Sequence, residues 1–597
     1  MKVSLETSVW KLPLLLVLWS ILISGTGLSS LEFLRHTEAD RTLISWELIE
    51  SDSFLVPTLL HSEILTKPPL YYWLSAVTIS IFGEPSELVA RLVSFLSSIV
   101  FVLFQYYFWY SVSGKRTISA LAGFSLGSSL LFFILSTVAE IDMLFGCLTG
   151  VALGALYFVI EGHEKQVRFG ILLSVATALA FLTKGPPVLF FLVGGGGLYL
   201  LWKVIFFRAE FTKTEIKRLL VVVLFVLAAI LIMILLWLIP LGIQVGWGEL
   251  GSRLKEEVFL RVVNYSDRGR GISFYLLAFF VNGLPWTFFL LIGLLRFYAG
   301  RPKEDESWHS RISPLLEDLQ IRRFFQYSLC VLAAGFLMLS LAQGKSSRYA
   351  FPLMPFLMNI TLFFSASCLK PVVFKKLVSG LKPLSILVLL VSLFLLVFIS
   401  IEGVSAQNFY VSILPVSLFS VFFLFSKPRL IWRNWFSYLI IVIIIAKINY
   451  TLVYIPHRNY TKGVRDLSAS VVRVLDGSPI YTIELFERWT VYYAKRLGVD
   501  AYRLSPALVK DMLSGGGEKG EELITILLDL DQEAWRFDQI RLYDSGAKVL
   551  AVFPHSTSSN YLVQTKKRVL PKLGLFSHFP TTPGLPYYPE LSERGLL

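Results

Sequence analysis

The chain has 597 residues, is 55% hydrophobic and 16% charged, and carries a formal net charge of +13 with a mean hydropathy of +0.65. That balance excludes a soluble globular protein and requires a lipid environment. The basic residues punctuate apolar runs and form no stripe on a polar surface, which excludes nucleic acid as a partner and suits a protein held between anionic lipid head groups. Cys147, Cys330 and Cys368 all lie inside apolar runs, so no disulfide or metal framework is implied.

Taken in chain order, apolar runs long enough to cross a hydrocarbon core of about 30 Å number about thirteen. They fall at residues 12–30, 88–110, 118–137, 143–160, 169–183, 187–202, 219–240, 273–295, 324–342, 349–368, 383–401, 409–426 and 434–452. The first run also has the features of a signal-peptide core, with Lys2 and Lys11 before it and small residues over Ser24 to Ser30. With the amino terminus inside, every second loop is basic, from Lys115 and Arg116 to Lys427, Arg429 and Arg433. The intervening short loops hold only Lys184, then Lys345 with Arg348, a strong positive-inside bias. An odd number of spans then puts the carboxy-terminal segment outside.

Two outside loops are long, 31–87 and 241–272. Within the first, Leu43 to Ile49 and Leu70 to Ile81 combine helical apolar spacing with Trp46, Tyr71, Tyr72 and Trp73, the pattern of interfacial helices. The expected architecture is an all-α polytopic membrane domain over 1–455 and a soluble α/β domain over 456–597. In the latter, Pro479 to Leu485 and Leu523 to Leu528 read as strands, Arg488 to Leu497 as a helix and Ser514 to Gly520 as a glycine-rich loop. Asp529 and Asp531 read as the end of a strand, with a cation pair as the alternative.

Acids and bases near the ends of spans are costly unless they act, and those on the outside face come from distant segments. They are Glu38 and Asp40, Lys67 in Thr66-Lys67-Pro68-Pro69, Glu140 and Asp142, Lys184, and Lys345 with Arg348. A carboxylate can take a proton from an attacking hydroxyl or hold a divalent cation, while Lys and Arg can neutralise a departing phosphate. Each has a plainer role too: a helix-end lysine reaches for head groups, Lys67 before two prolines can end a helix, and Asp142 can be one half of a structural ion pair.

The stretches Thr37-Glu38-Ala39-Asp40-Arg41, Ser51-Asp52-Ser53-Phe54-Leu55-Val56-Pro57, Thr66-Lys67-Pro68-Pro69-Leu70-Tyr71-Tyr72-Trp73 and Ala90-Arg91-Leu92 resemble the first external loop of a known family. It is the GT-C glycosyltransferases of the protein O-mannosyltransferase and lipid A aminoarabinose transferase type. Ala139-Glu140-Ile141-Asp142-Met143, Leu182-Thr183-Lys184-Gly185-Pro186, Leu284-Pro285-Trp286 and Ser347-Arg348-Tyr349-Ala350-Phe351-Pro352-Leu353 continue the resemblance in the family's order.

The resemblance implies inverting transfer of a sugar from a polyprenyl-phosphate carrier to a glycolipid, such as lipid A, or to a protein hydroxyl. The reaction would occur at the periplasmic face of a bacterial inner membrane. It implies Glu38 as base or metal contact, Asp142 as the second acid, and Lys67 as a phosphate contact, joined by Lys184, Lys345 and Arg348. A divalent cation (Mg, Mn or Zn) held by Glu38 and Asp142 is the expected cofactor, with no organic one. The chain departs from the family at Thr37, where the family has Asp before Glu, which makes Asp40 the alternative base. It departs again at Thr66, where the aminoarabinose transferases have Glu. A transporter or flippase, for which Gly194 to Gly197 would speak, and a family member without activity are the alternative readings.

Overall fold

The computed structural model describes residues 10–566, except 34–35, 52–53, 66, 163–165, 207–212, 253–254, 256–270, 272, 300–311, 343, 369–415, 417–419, 422, 424, 427–434, 463, 476, 483–487, 505–511, 513–522, 530–547 and 555–558. The expected span 383–401, most of 409–426, the loop Ser514 to Gly520 and Asp531 therefore lie outside the described residues.

The chain opens with α1 (Lys11–Ser20), prolonged by a π turn, and reaches α2 (His36–Glu50), a small hairpin of β1 (Thr58–Leu59) and β2 (Ser62–Glu63), and α3 (Leu70–Phe82). Helix α3 is two-faced: Tyr71, Tyr72, Ala76 and Ile79 are buried, whereas Leu74, Val77, Ile81 and Phe82 are exposed, as suits a helix lying along a membrane surface. The hairpin turn holds Leu60 and His61 at φ 54° and 60°, a conformation that non-glycine residues avoid. The buried Glu47 carboxylate holds it there, accepting from Leu60 N at 2.8 Å, His61 N at 3.1 Å and Thr58 Oγ at 2.7 Å.

The bundle follows: α4 (Glu87–Ser113), α5 (Arg116–Gly127), α6 (Leu130–Ser136), α7 (Ile141–Ile160), α8 (Gln166–Lys184), α9 (Pro187–Phe191), α10 (Gly197–Phe206) and α11 (Lys213–Val245). Then come α12 (Phe274–Asn282), α13 (Trp286–Ala299), α14 (Leu319–Leu341), α15 (Met354–Cys368) and α16 (Trp435–Asn449). Among the described residues six helices are long and apolar enough to cross a membrane, or up to eight if the bent pairs α5–α6 (64°) and α12–α13 (116°) are one span each. This is a polytopic, mostly helical membrane protein.

Helix α7 is the axis of the bundle, with 89% of its apolar window buried, whereas the apolar α11 is only 6% buried and faces lipid. Gly146, Gly150 and Gly154, four residues apart on α7, explain its central place: a Cβ at each would collide with the rings of Phe351, Phe101 and Phe104 respectively. The glycines of the sixth run serve the same end, because Gly194 and Gly195 press on Met338 and Val331 of α14.

Beyond the bundle lie α17 (Ile455–Lys462), α18 (Arg465–Leu475), β3 (Ile480–Thr482), α19 (Arg488–Arg496), β4 (Ala501–Arg503), β5 (Leu523–Asp529), β6 (Lys548–Pro554) and β7 (Ser559–Lys566). The five strands form one sheet in the order β4-β3-β5-β7-β6; β3 runs parallel to β4 and β5, and β7 antiparallel to β5 and β6. Its core is continuous with that of the first long segment: Phe33, Leu43, Leu48 and Tyr71 belong to one buried cluster with Val471, Ile480 and Tyr492. Polar contacts fasten the same junction. Tyr493 donates to Glu87 at 2.8 Å, Arg496 pairs with Glu87 at 3.0 Å, and the Glu32 carboxylate accepts from Val464 N at 2.8 Å.

Candidate functional site

Helices α7 and α8 run antiparallel as neighbours, so the start of one meets the end of the other. Glu140 caps α7 and Asp142 lies in its first turn, where the helix N-terminus favours negative charge. Lys184 is the last residue of α8, and Gly185 at φ 85° lets the chain turn away directly after it. Arg348 comes from the 3-10 turn Ser347–Leu353, which is seated on α7 by the contact between Phe351 and Gly146, one turn from Asp142. From α2 come Thr37 and Arg41, one helical turn apart.

These side chains alternate in sign along a row. Arg41 Nε lies 3.6 Å from Glu140 Oε2, and Arg348 Nη1 bridges Glu140 Oε1 and Asp142 Oδ2 at 3.5 Å each. Lys184 Nζ is in direct contact with Asp142 Oδ1 and lies over the Tyr349 and Phe145 rings, 4.8 and 5.3 Å from their centroids. Thr37 Oγ donates to Glu140 Oε1, and Arg41 Nη1 donates to the Tyr72 hydroxyl at 2.7 Å. Burial pushes the Tyr71 and Tyr72 phenols up, so Tyr72 stays a neutral acceptor for Arg41. Both carboxylates are buried, while Arg348 is 32% exposed and Lys184 14%. The cations therefore form the accessible rim of an acidic floor.

The sequence-derived residues divide accordingly. Asp142, Lys184 and Arg348 come together. Glu38 stands aside from the row: its carboxylate accepts from Arg91 Nε at 3.0 Å and Ala139 N at 2.9 Å, with both side chains fully buried. Arg91 also donates to the carbonyls of Leu28 and Leu31 at 2.7 and 2.6 Å, so the pair pins the entry of α2 to α4 and to the start of α7. Asp40 is buried on α2 near Tyr72. Lys67, half-buried, heads the segment into α3, and Lys345, half-buried, precedes the turn that carries Arg348.

A metal held by Glu38 and Asp142 does not fit these residues. One carboxylate is engaged by a guanidinium and a backbone N–H, the other by an ammonium, and among the described residues no group of three or more His, Cys, Asp or Glu side chains could hold an ion. Thr37, Arg41, Tyr72 and Arg91 have site contacts that the sequence reading did not assign. The motif stretches contain all four, but pairings across roughly 30 to 300 residues carry no spacing signal.

The fold has a solved counterpart. It is similar to the crystal structure of ArnT from Cupriavidus metallidurans bound to undecaprenyl phosphate, with a TM-score of 0.64 at 15% identity, covering 93% of this chain and 98% of that one. Residues 66–237 match the family described as dolichyl-phosphate-mannose-protein mannosyltransferase. The undecaprenyl phosphate-alpha-4-amino-4-deoxy-L-arabinose arabinosyl transferase of Yersinia pestis (strain Pestoides F) is 27% identical over 173 residues, 29% of this chain and 31% of that relative. Its counterpart in Yersinia enterocolitica is 26% identical over 144 residues, 24% of this chain and 26% of that relative. The match thus spans about a third of the length of these relatives. The chain thus shares its fold with that structure, and residues 66–237 resemble the mannosyltransferase and arabinosyl transferase sequences.

Proposed function

We propose that this protein transfers a glycosyl group from a polyprenyl-phosphate sugar to a hydroxyl or phosphate oxygen of an acceptor at the non-cytoplasmic face, with inversion. Lipid A or a similar glycolipid is the favoured acceptor and a protein hydroxyl the alternative. The observation that carries the reading is the row of Arg41, Arg348 and Lys184 over Glu140 and Asp142 where α7 and α8 meet. Partly exposed cations above buried carboxylates suit a phosphate that gains negative charge as its bond to the sugar breaks. The relatives named for undecaprenyl phosphate and dolichyl phosphate donors support that donor class.

The orientation rests on the positive-inside bias, and about thirteen spans with a periplasmic carboxy-terminal domain accord with it. At the site the donor phosphate lies against Arg348 and Lys184, with Lys345 and Lys67 at its border. Asp142 orients both cations, since a carboxylate within 4 Å of each fixes where their charge can sit. The acceptor oxygen attacks the anomeric carbon as the bond to the phosphate oxygen breaks, the bonding pair leaves with the phosphate, and where the acceptor is a hydroxyl a carboxylate of the row takes its proton. Glu38 holds the scaffold through Arg91, and no step passes through a metal.

The test is sugar release by the purified chain from undecaprenyl phosphate-4-amino-4-deoxy-L-arabinose and from dolichyl-phosphate mannose, with lipid A present. Turnover of one donor that Asp142→Asn abolishes supports the reading. Consumption of neither donor by a folded wild type contradicts it.

A further inference from the structure

Four acidic side chains lie near the head of the site, and their surroundings divide the work. Glu38 is held by Arg91 and by the Ala139 N–H at hydrogen-bond length. Asp142 is in direct contact with the Lys184 ammonium. Asp40 is buried on α2 beside Tyr72. Glu140 differs. Its guanidinium neighbours Arg41 and Arg348 stand off at 3.6 and 3.5 Å, beyond hydrogen-bond length, while a hydroxyl, Thr37 Oγ, donates to it in close contact.

That contact shows what the carboxylate is shaped to receive. An alcohol donating to Glu140 Oε1 has the arrangement that an acceptor hydroxyl needs at the moment it loses its proton. The order of the row supplies the rest. Glu140 lies toward Arg41, and Lys184 lies at the other end beyond Arg348 and Asp142, so acceptor and phosphate take opposite ends, as a single displacement requires. Thr37 reaches Glu140 from α2, so a carboxylate placed at residue 37 would stand close to that of Glu140.

Resting on the transferase reading, we propose that Glu140 is the base that takes the acceptor's proton and that Arg348 covers it until the donor phosphate draws the guanidinium away. Glu140 has no exposed surface, while Arg348 is 32% exposed and makes only long contacts to its two carboxylates, so a phosphodiester competes well for it. The step balances: the acceptor O–H bond breaks and its proton goes to Glu140 Oε. The acceptor oxygen bonds to the anomeric carbon, and the phosphate departs as an anion against Arg348 and Lys184.

The experiment uses the full chain in lipid nanodiscs, with the two donors above for turnover and undecaprenyl phosphate alone for binding. Glu140→Gln is expected to lower kcat by about 100-fold or more, to leave undecaprenyl phosphate binding unchanged and to remove the acid limb of the wild-type pH profile. Thr37→Asp added to Glu140→Gln is expected to restore at least about tenfold of that loss, because the carboxylate returns from α2. A Glu140→Gln enzyme that keeps wild-type kcat overturns the proposal. So does one that loses binding and activity together, which would make Glu140 a scaffold group. Wild type that binds undecaprenyl phosphate yet consumes neither donor sinks the transferase reading, and the base assignment falls with it.

Discussion

The two ends of α7 carry similar residues in opposite arrangements. At the end distant from the carboxy-terminal segment, one carboxylate, Glu161, is saturated: Lys203 at 2.9 Å, Arg323 at 3.0 Å and the Tyr199 hydroxyl at 3.1 Å. At the other end two carboxylates share three cations: Lys184 touches Asp142 directly, Arg41 and Arg348 stand off at 3.6 and 3.5 Å, and Arg348 is 32% exposed. A saturated acid locks helices together. A bridging guanidinium held only at 3.5 Å and open to the surface, as Arg348 is, can take an anion from outside, and the same charge chemistry becomes a site.

The largest expected difference between the ends is in turnover. Lys184→Met should lower kcat/KM per folded molecule by about 100- to 1000-fold, and an equal loss in Lys203→Met would erase the distinction. Stability should show the reverse. Glu161→Gln leaves Lys203 and Arg323 short of their anion inside the bundle and should cost about 3 kcal/mol, read as a lower Tm in detergent, with turnover per folded molecule intact.

Next in size is Gly146→Ala. Its methyl group would meet the Phe351 ring, and the overpacking costs about 1–3 kcal/mol. Because Phe351 and Arg348 share one 3-10 turn, kcat/KM should fall further for the same loss of Tm than Gly150→Ala makes it fall, where the methyl group would meet the Phe101 ring.

The smallest effect concerns pH. Burial holds the Glu32 carboxyl above its ordinary value despite the Val464 and Arg465 contacts that pull it down. A raised carboxyl adds stability in full below its unfolded value and loses it as pH rises through the raised one. Wild type should therefore lose Tm across the weakly acidic range relative to Glu32→Gln, and curves that run parallel would show no such contribution.

The sequence made the helices legible because apolar length and loop charge act locally. It also singled out Asp142, Lys184 and Arg348, since a charge at a span end is conspicuous. For Glu38 it suggested a base or metal contact and gave no sign of Arg91, 53 residues away on a helix face that no spacing rule connects to α2. It named Glu140 without a role because that role depends on Thr37, 103 residues earlier, turning its hydroxyl toward it. The extent of the first segment's union with the carboxy-terminal sheet was hidden for the same reason: Glu87 and Arg496 look like ordinary surface charges until the fold brings them within 3.0 Å.

The most direct measurement is undecaprenyl phosphate affinity for wild type, Arg348→Ala and Lys203→Met in nanodiscs. The expected result is a loss of about 10- to 100-fold for Arg348→Ala and none for Lys203→Met. Equal affinities in all three, or a loss confined to Lys203→Met, would contradict a polyprenyl-phosphate site where α7 begins.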